Sequence, residues 1–279
     1  MKKRVCYALI VFVCVLGLIA CDEFFSTTLG SPRSYDLSKI SITPGNAEKW
    51  FNLALGNPDL MKALLEKYPQ ELAKYPLGSP ERAELLAAAA KLAVESSGVG
   101  KSILTEAMGL IKDLDTKDPD ETTIKDILNN IQKNFDNGSG PDAAASLAQM
   151  VSSSISTEGT PPLPKFDGTY ADMVDTGDMA GAMLVLVLGA MNEIGATVDT
   201  IDTDWNNVVT LSKGLTYVYD GGEVPHVALV DPPPPSEEPI SPVALAMAAY
   251  LNLIADSVAS GDNPLTNTIK DAYLNRSNP

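Results

Sequence analysis

The chain has 279 residues, with 36 acidic against 20 basic side chains, a net charge of −16, one histidine and three cysteines. A surface this acidic repels phosphate backbones and anionic headgroups, which sets aside nucleic acid and direct electrostatic membrane binding. A single histidine leaves histidine triads and zinc sites without their usual parts.

At the start, Met1-Lys2-Lys3-Arg4 precedes a 16-residue apolar run from Val5 to Ala20, which ends in Leu18-Ile19-Ala20 before Cys21. The run is shorter than the roughly 20 residues a spanning helix needs, and a basic segment followed by a short apolar one reads as an export signal. The pattern resembles the type II signal peptide of bacterial lipoproteins. That resemblance implies cleavage after Ala20 and acylation of Cys21, with palmitate-like chains that anchor the protein in the cell envelope, on the inner or the outer membrane, facing the periplasm or the exterior. Two or more acyl chains suffice for stable anchoring. The stretch Cys21-Asp22-Glu23-Phe24-Phe25-Ser26 is similar to the mature starts of spirochaetal helical lipoproteins, and Asp22 resembles an inner-membrane retention signal. Removal of residues 1–20 takes away Cys6 and Cys14, leaving no thiol for a disulfide. It also takes away Lys2, Lys3 and Arg4, which moves the net charge from −16 to −19.

Residues 21–43 mix Ser, Thr, Gly and Pro with few periodic apolar positions, and read as a flexible tether. A single domain follows over 44–279. Its most regular signal is a capping residue before proline, at Asn57-Pro58, Ser79-Pro80, Asp118-Pro119, Gly140-Pro141, Ser241-Pro242 and Asn263-Pro264. Proline at the first helical position loses no hydrogen bond, and the preceding side chain takes up a free amide of the first turn. Apolar residues at helical spacing follow, as in Leu60, Leu64, Leu65 and Leu72, or Leu85, Leu86, Ala89 and Leu92. Helices are expected near 46–56, 58–75, 80–97, 101–114, 119–135, 141–156, 178–197, 203–219, 242–259 and 264–275. Paired starts recur at an offset of 22 and the first two pairs lie 61 apart. Helical-hairpin units near 57–98, 118–159, 178–220 and 241–276 would explain this, as would helices of similar length joined by short turns.

Met179 to Met191 and Val243 to Ala255 are apolar nearly all round, and read as central buried helices, with a partner- or lipid-binding groove as the alternative. The connections 160–176 and 221–239 read as long loops, the second, with Pro232 to Pro235 in a row, bridging two helices or presenting an extended docking strand.

Gly98-Val99-Gly100-Lys101-Ser102 ends like a phosphate-binding loop, but Glu95 occupies the first glycine position and the preceding residues are helical. Gly98 is better explained as a helix stop. Asp202, Asp204 and Asn206 occupy the first three ligand positions of a calcium loop, yet Lys213 stands where a bidentate glutamate is required. The acid run Asp113, Asp115, Asp118, Asp120 and Glu121 reads as a turn with a capping box. His226, next to Pro225, reads as an exposed or hydrogen-bonded loop residue.

The expected fold is all-α, with helical hairpins in a bundle or a short solenoid-like array. No catalytic, cofactor-binding or metal-binding residue is assigned, no cofactor and no nucleotide is expected, and Cys21 is the one site, for lipidation. The expected function is a membrane-anchored, non-catalytic binding or assembly module whose protein or small-molecule partner the chain does not name. The alternatives are an accessory subunit of solute uptake, by architectural similarity to spirochaetal transporter lipoproteins, and an envelope-polymer hydrolase using carboxylates such as Glu193 or Asp204.

Overall fold

The computed structural model describes residues 40–102, 121–159, 162–167, 169–174, 176–200, 215–218, 226–229 and 240–260. Cys21, the calcium-loop residues Asp202 to Lys213, the acid run 113–120 and the helix expected at 264–275 lie outside them.

A 3-10 turn at Pro44–Asn46 leads into α1 (Ala47–Ala54), α2 (Pro58–Leu72), α3 (Pro80–Ser96), α4 (Glu121–Asn137) and α5 (Gly140–Ser152). Next come β1 (Ile155–Glu158), β2 (Leu163–Phe166), α6 (Tyr170–Met173), α7 (Thr176–Glu193), β3 (Leu215–Val218), β4 (His226–Leu229) and α8 (Pro242–Ser260). The described residues are mostly helical. None of their helices is long and apolar enough to cross a membrane.

Local chemistry accounts for the helix ends. Asn57 Oδ1 accepts the Leu60 N–H at 3.1 Å and Ser79 Oγ accepts that of Arg82 at 3.2 Å, each ahead of a proline at the first helical position. Gly98 takes a left-handed φ of +72° and ends α3, as its place in the sequence predicts. α7 ends four residues before the expected 197, because Gly195 turns left-handed at φ +67°. Its N–H then donates to Asn192 O at 3.1 Å, and that of Ala196 to Met191 O at 2.8 Å. This pair of bonds is the glycine-terminated helix stop. α5 also stops short of the expected 156, since Ser152 and Ser153 donate their hydroxyls back to Gln149 O and Met150 O, in competition with the helical ladder.

Packing decides between the two arrangements the sequence allows. A solenoid touches only neighbouring units. Here α5 packs on α2, α3, α4, α7 and α8, and α3 packs on α1, α2, α6 and α7, so distant segments share one core and the helices form a bundle. The core includes Leu60, Leu64, Leu72, Leu85, Leu92, Ile131, Phe135 and Leu147, all essentially inaccessible. The apolar run of α7 lies at its centre, where a Cβ on Gly189 would stand 2.5 Å from that of Ala144 and one on Gly181 would stand 3.0 Å from Val94 Cγ1. The alanine- and glycine-rich faces therefore allow helices to approach more closely than large side chains would.

Three expectations are corrected. The segment read as tether through residue 43 is already packed at its end: Ile40 and Ile42 are buried, Lys67 Nζ donates to Ile40 O at 2.8 Å, and Trp50 Nε1 donates to Ser41 O at 3.0 Å. Residues 215–218, read as the end of a helix, form β3, because Leu-Thr-Tyr-Val carries the β-branched and aromatic side chains that fit a pleated strand. The two long connections are not plain loops. They carry β2 with α6 in one and β4 in the other, so β1 pairs antiparallel with β2 (Ile155 opposite Phe166) and β3 with β4 (Tyr217 opposite Val227).

Candidate functional site

The two β-hairpins meet over α8, and among the described residues that junction gathers the most polar contacts between distant parts of the chain. Asn252 sits on α8 with no exposed surface, within an otherwise apolar run. Its Oδ1 accepts the Val227 N–H at 2.7 Å, while Nδ2 donates to Val227 O at 2.8 Å and to Pro164 O at 2.9 Å. The side-chain amide thus does for β2 and β4 what a strand backbone would do, satisfying three buried main-chain groups. One direct bond supplements it, Leu229 N–H to Pro162 O at 2.8 Å.

One helical turn further on, Asp256 lies on the same face. Its Oδ1 is 2.8 Å from His226 Nε2 on β4, and its Oδ2 is 3.2 Å from Lys165 Nζ on β2. A carboxylate can only accept, so Nε2 is the donor in this contact. His226 Nδ1 is buried and has no hydrogen-bond partner among the described residues. A carboxylate beside a histidine is the orienting half of a nucleophile-activating array. Here the carboxylate is shared with a lysine, and the geometry makes it a fastener between the two hairpins and the helix. His226 is therefore hydrogen-bonded, one of the two states its sequence position suggests, although it belongs to a strand.

Behind this junction, Tyr170 Oη and Tyr250 Oη lie 2.6 Å apart in the interior. Phe166 stacks on Tyr170 with centroids 4.2 Å apart and meets Tyr250 edge-on at 5.0 Å. Burial pushes both phenols above their ordinary range, and the negative charge of Asp178 pushes the same way. Asp178, 4% exposed in the first turn of α7, faces Lys91 Nζ of α3 at 3.0 Å. Its charge is compensated by that ammonium and by the positive end of its own helix.

Arg82 forms a second buried polar centre. Its guanidinium donates to Leu72 O at 2.7 Å, Tyr75 O at 3.0 Å, Ser153 O at 2.6 Å and Ser154 Oγ at 3.2 Å, which caps the carboxyl ends of α2 and α5 together. Desolvation lowers its pKa, and Asp167 opposes that shift. A cavity of about 10 Å³ beside it, lined by Ser79, Arg82, Ser154, Asp167 and Tyr170, has the size of one water molecule.

The residues singled out from sequence are dispersed. Ser102 Oγ donates to Gly98 O at 2.9 Å and accepts from Asn134 at 3.1 Å, so the hydroxyl of the phosphate-loop look-alike is engaged within its own helix turn and with α4. Glu193 accepts from Ser241 Oγ at 3.3 Å, which ties the end of α7 to the start of α8, and Asp204 lies outside the described residues. Among the described residues no group of three or more His, Cys, Asp or Glu side chains could hold a metal ion. Asp178, which the sequence marks as a cap for the helix beginning near Met179, lies in the first turn of α7, whereas Asn252, Lys165 and Arg82 were not anticipated. A lone amide inside the apolar run 243–255 is the signal that points to Asn252; the others become visible only when segments distant in sequence meet. Comparison with protein-family models, with curated proteins and with solved structures finds no match for this chain.

Proposed function

We propose that this protein is a lipid-anchored lipoprotein outside the cytoplasm, whose helical domain works as a non-catalytic binding or assembly module. The observation that carries the reading is the run of Lys2, Lys3 and Arg4, the apolar stretch to Ala20, and Leu18-Ile19-Ala20 ahead of Cys21. The polar centres of the domain support it, because Arg82, Asp178, Asn252 and Asp256 spend their hydrogen-bonding capacity on other parts of the same chain. In this reading residues 22–39 link the acylated Cys21 to the helical domain.

The test is mass spectrometry of the amino-terminal peptide after expression in a bacterial host with membrane fractionation. An acylated Cys21 in the membrane fraction, lost in Cys21→Ala, is the expected result. An intact Met1 terminus in the cytosolic fraction refutes the anchor. Crosslinking in whole cells then addresses binding, and a specific adduct that survives detergent extraction is expected for the anchored protein.

A further inference from the structure

We propose that Asn137-Gly138, at the carboxyl end of α4, is a site of spontaneous deamidation that alters the α4–α5 turn. It is the single Asn-Gly pair in the chain, and both residues are exposed. Glycine has no Cβ to obstruct approach of its own nitrogen to the preceding side chain. The backbone nitrogen of Gly138 gives its proton to a solvent base and attacks Cγ of Asn137. The bond from Cγ to the side-chain nitrogen breaks, ammonia leaves with a proton from solvent, and a five-membered succinimide forms. Water opens that ring at one of its two carbonyls, giving aspartate, or isoaspartate with the main chain rerouted through Cγ.

The neighbouring asparagines are held differently. Asn134 donates to Ser102 at 3.1 Å and Asn129 to Asp199 at 3.4 Å, both inside the helix, where the following N–H belongs to the ladder. Asn57 is followed by proline, which has no N–H to attack with, and Asn252 is fully buried with three hydrogen bonds. At Gly138 the N–H is tied by one bond of 3.2 Å to Phe135 O, the closing bond of a last turn, and helix ends open more readily than interiors.

The products disturb the turn in two ways. A new carboxylate beside Asp136 adds negative charge where the helix end is already negative. Isoaspartate also adds a methylene to the main chain just ahead of Gly140, which runs so close to the buried Phe135 ring that even a Cβ there would overlap it.

The experiment ages the purified full chain in warm, mildly alkaline buffer and follows each asparagine by tandem mass spectrometry, with enzymatic methylation to detect isoaspartate. Conversion at Asn137 is expected to run about tenfold faster than at any other asparagine, since only this one precedes a residue without a side chain. Equal or slower conversion there than at Asn129 or Asn130 overturns the site. Asn137→Ser is expected to fold normally and to show no conversion in this peptide. The aged protein is expected to melt below both the fresh protein and Asn137→Asp, which carries the charge without the extra methylene. Identical melting of aged protein and Asn137→Asp overturns the backbone part of the proposal.

Discussion

The helical bundle and the strand-bearing cap on α8 are held by opposite means. In the bundle, α3, α5 and α7 present apolar faces along their length, and the loss of one side chain leaves dozens of other contacts in place. In the cap, β2 and β4 are bonded to α8 through Asn252 and Asp256, with the Phe166 ring set edge-on to Tyr250 beside them, so fewer side chains carry the attachment. Burial is spread over many contacts, each small. A side chain that replaces a backbone partner concentrates its contribution, because its removal strands several buried main-chain groups at once.

The largest expected effect is in the bundle. Leu147→Ala on α5, where the side chain is fully buried, should cost about 2–5 kcal/mol by cavity formation, and chemical denaturation should show every region destabilised together. Asn252→Ala should cost about 2–4 kcal/mol, because Val227 N–H, Val227 O and Pro164 O lose their partner. The two variants sharpen the comparison through hydrogen exchange. Asn252→Ala should expose the Val227 amide while protection within α3 and α5 persists. If protection falls equally everywhere, the cap is not a separate unit.

The bundle was legible in the sequence because helices announce themselves locally. Asn57-Pro58 and Ser79-Pro80 mark starts, Gly98 marks a stop, and the leucines between them give the buried face. The cap was not, because four-residue strands such as Leu163–Phe166 are too short for alternation to show, and the junction of β2 with β4 depends on a side chain on α8 far along the chain. Residues 215–218 illustrate the ambiguity, since a short apolar run suits a helix end or a strand equally until its partner is known. Arg82 was hidden for a similar reason. In sequence it is one charged residue in a first turn, and its role appears once the ends of α2 and α5 are brought beside it.

The ionic part of the cap should matter less than its amide. Asp256 is about half exposed, and exposed pairs contribute little. Asp256→Asn is therefore expected to cost at most about 1 kcal/mol, with a difference that shrinks in high salt. A loss as large as that of Asn252→Ala would mean that charge, and not the amide, holds the hairpins. In the bundle, Tyr68 supplies the opposite sign. Its hydroxyl is buried with no hydrogen-bond partner among the described residues, so Tyr68→Phe removes an unsatisfied group without changing the packed ring. A gain on the order of 1 kcal/mol is expected in thermal or chemical denaturation, and a loss would show that the hydroxyl has a partner, such as water, in solution.

The smallest effect tests whether the bundle tolerates its own charges. Glu95 lies near the carboxyl end of α3, where the helix end is negative, and partial burial raises its pKa while Lys101 opposes the shift. A carboxyl that titrates higher in the folded state binds more protons there than in the unfolded chain. Its unfavourable contribution therefore develops as pH rises from the unfolded value through the folded one, and stays constant above it. Glu95→Gln should consequently be more stable than the parent at neutral pH, with a difference that fades as pH is lowered below the ordinary carboxylate range. Denaturant midpoints measured across that range decide it. A difference that stays constant with pH would mean that the Lys101 attraction cancels desolvation at this position, and one that grows toward acid would mean that it outweighs it.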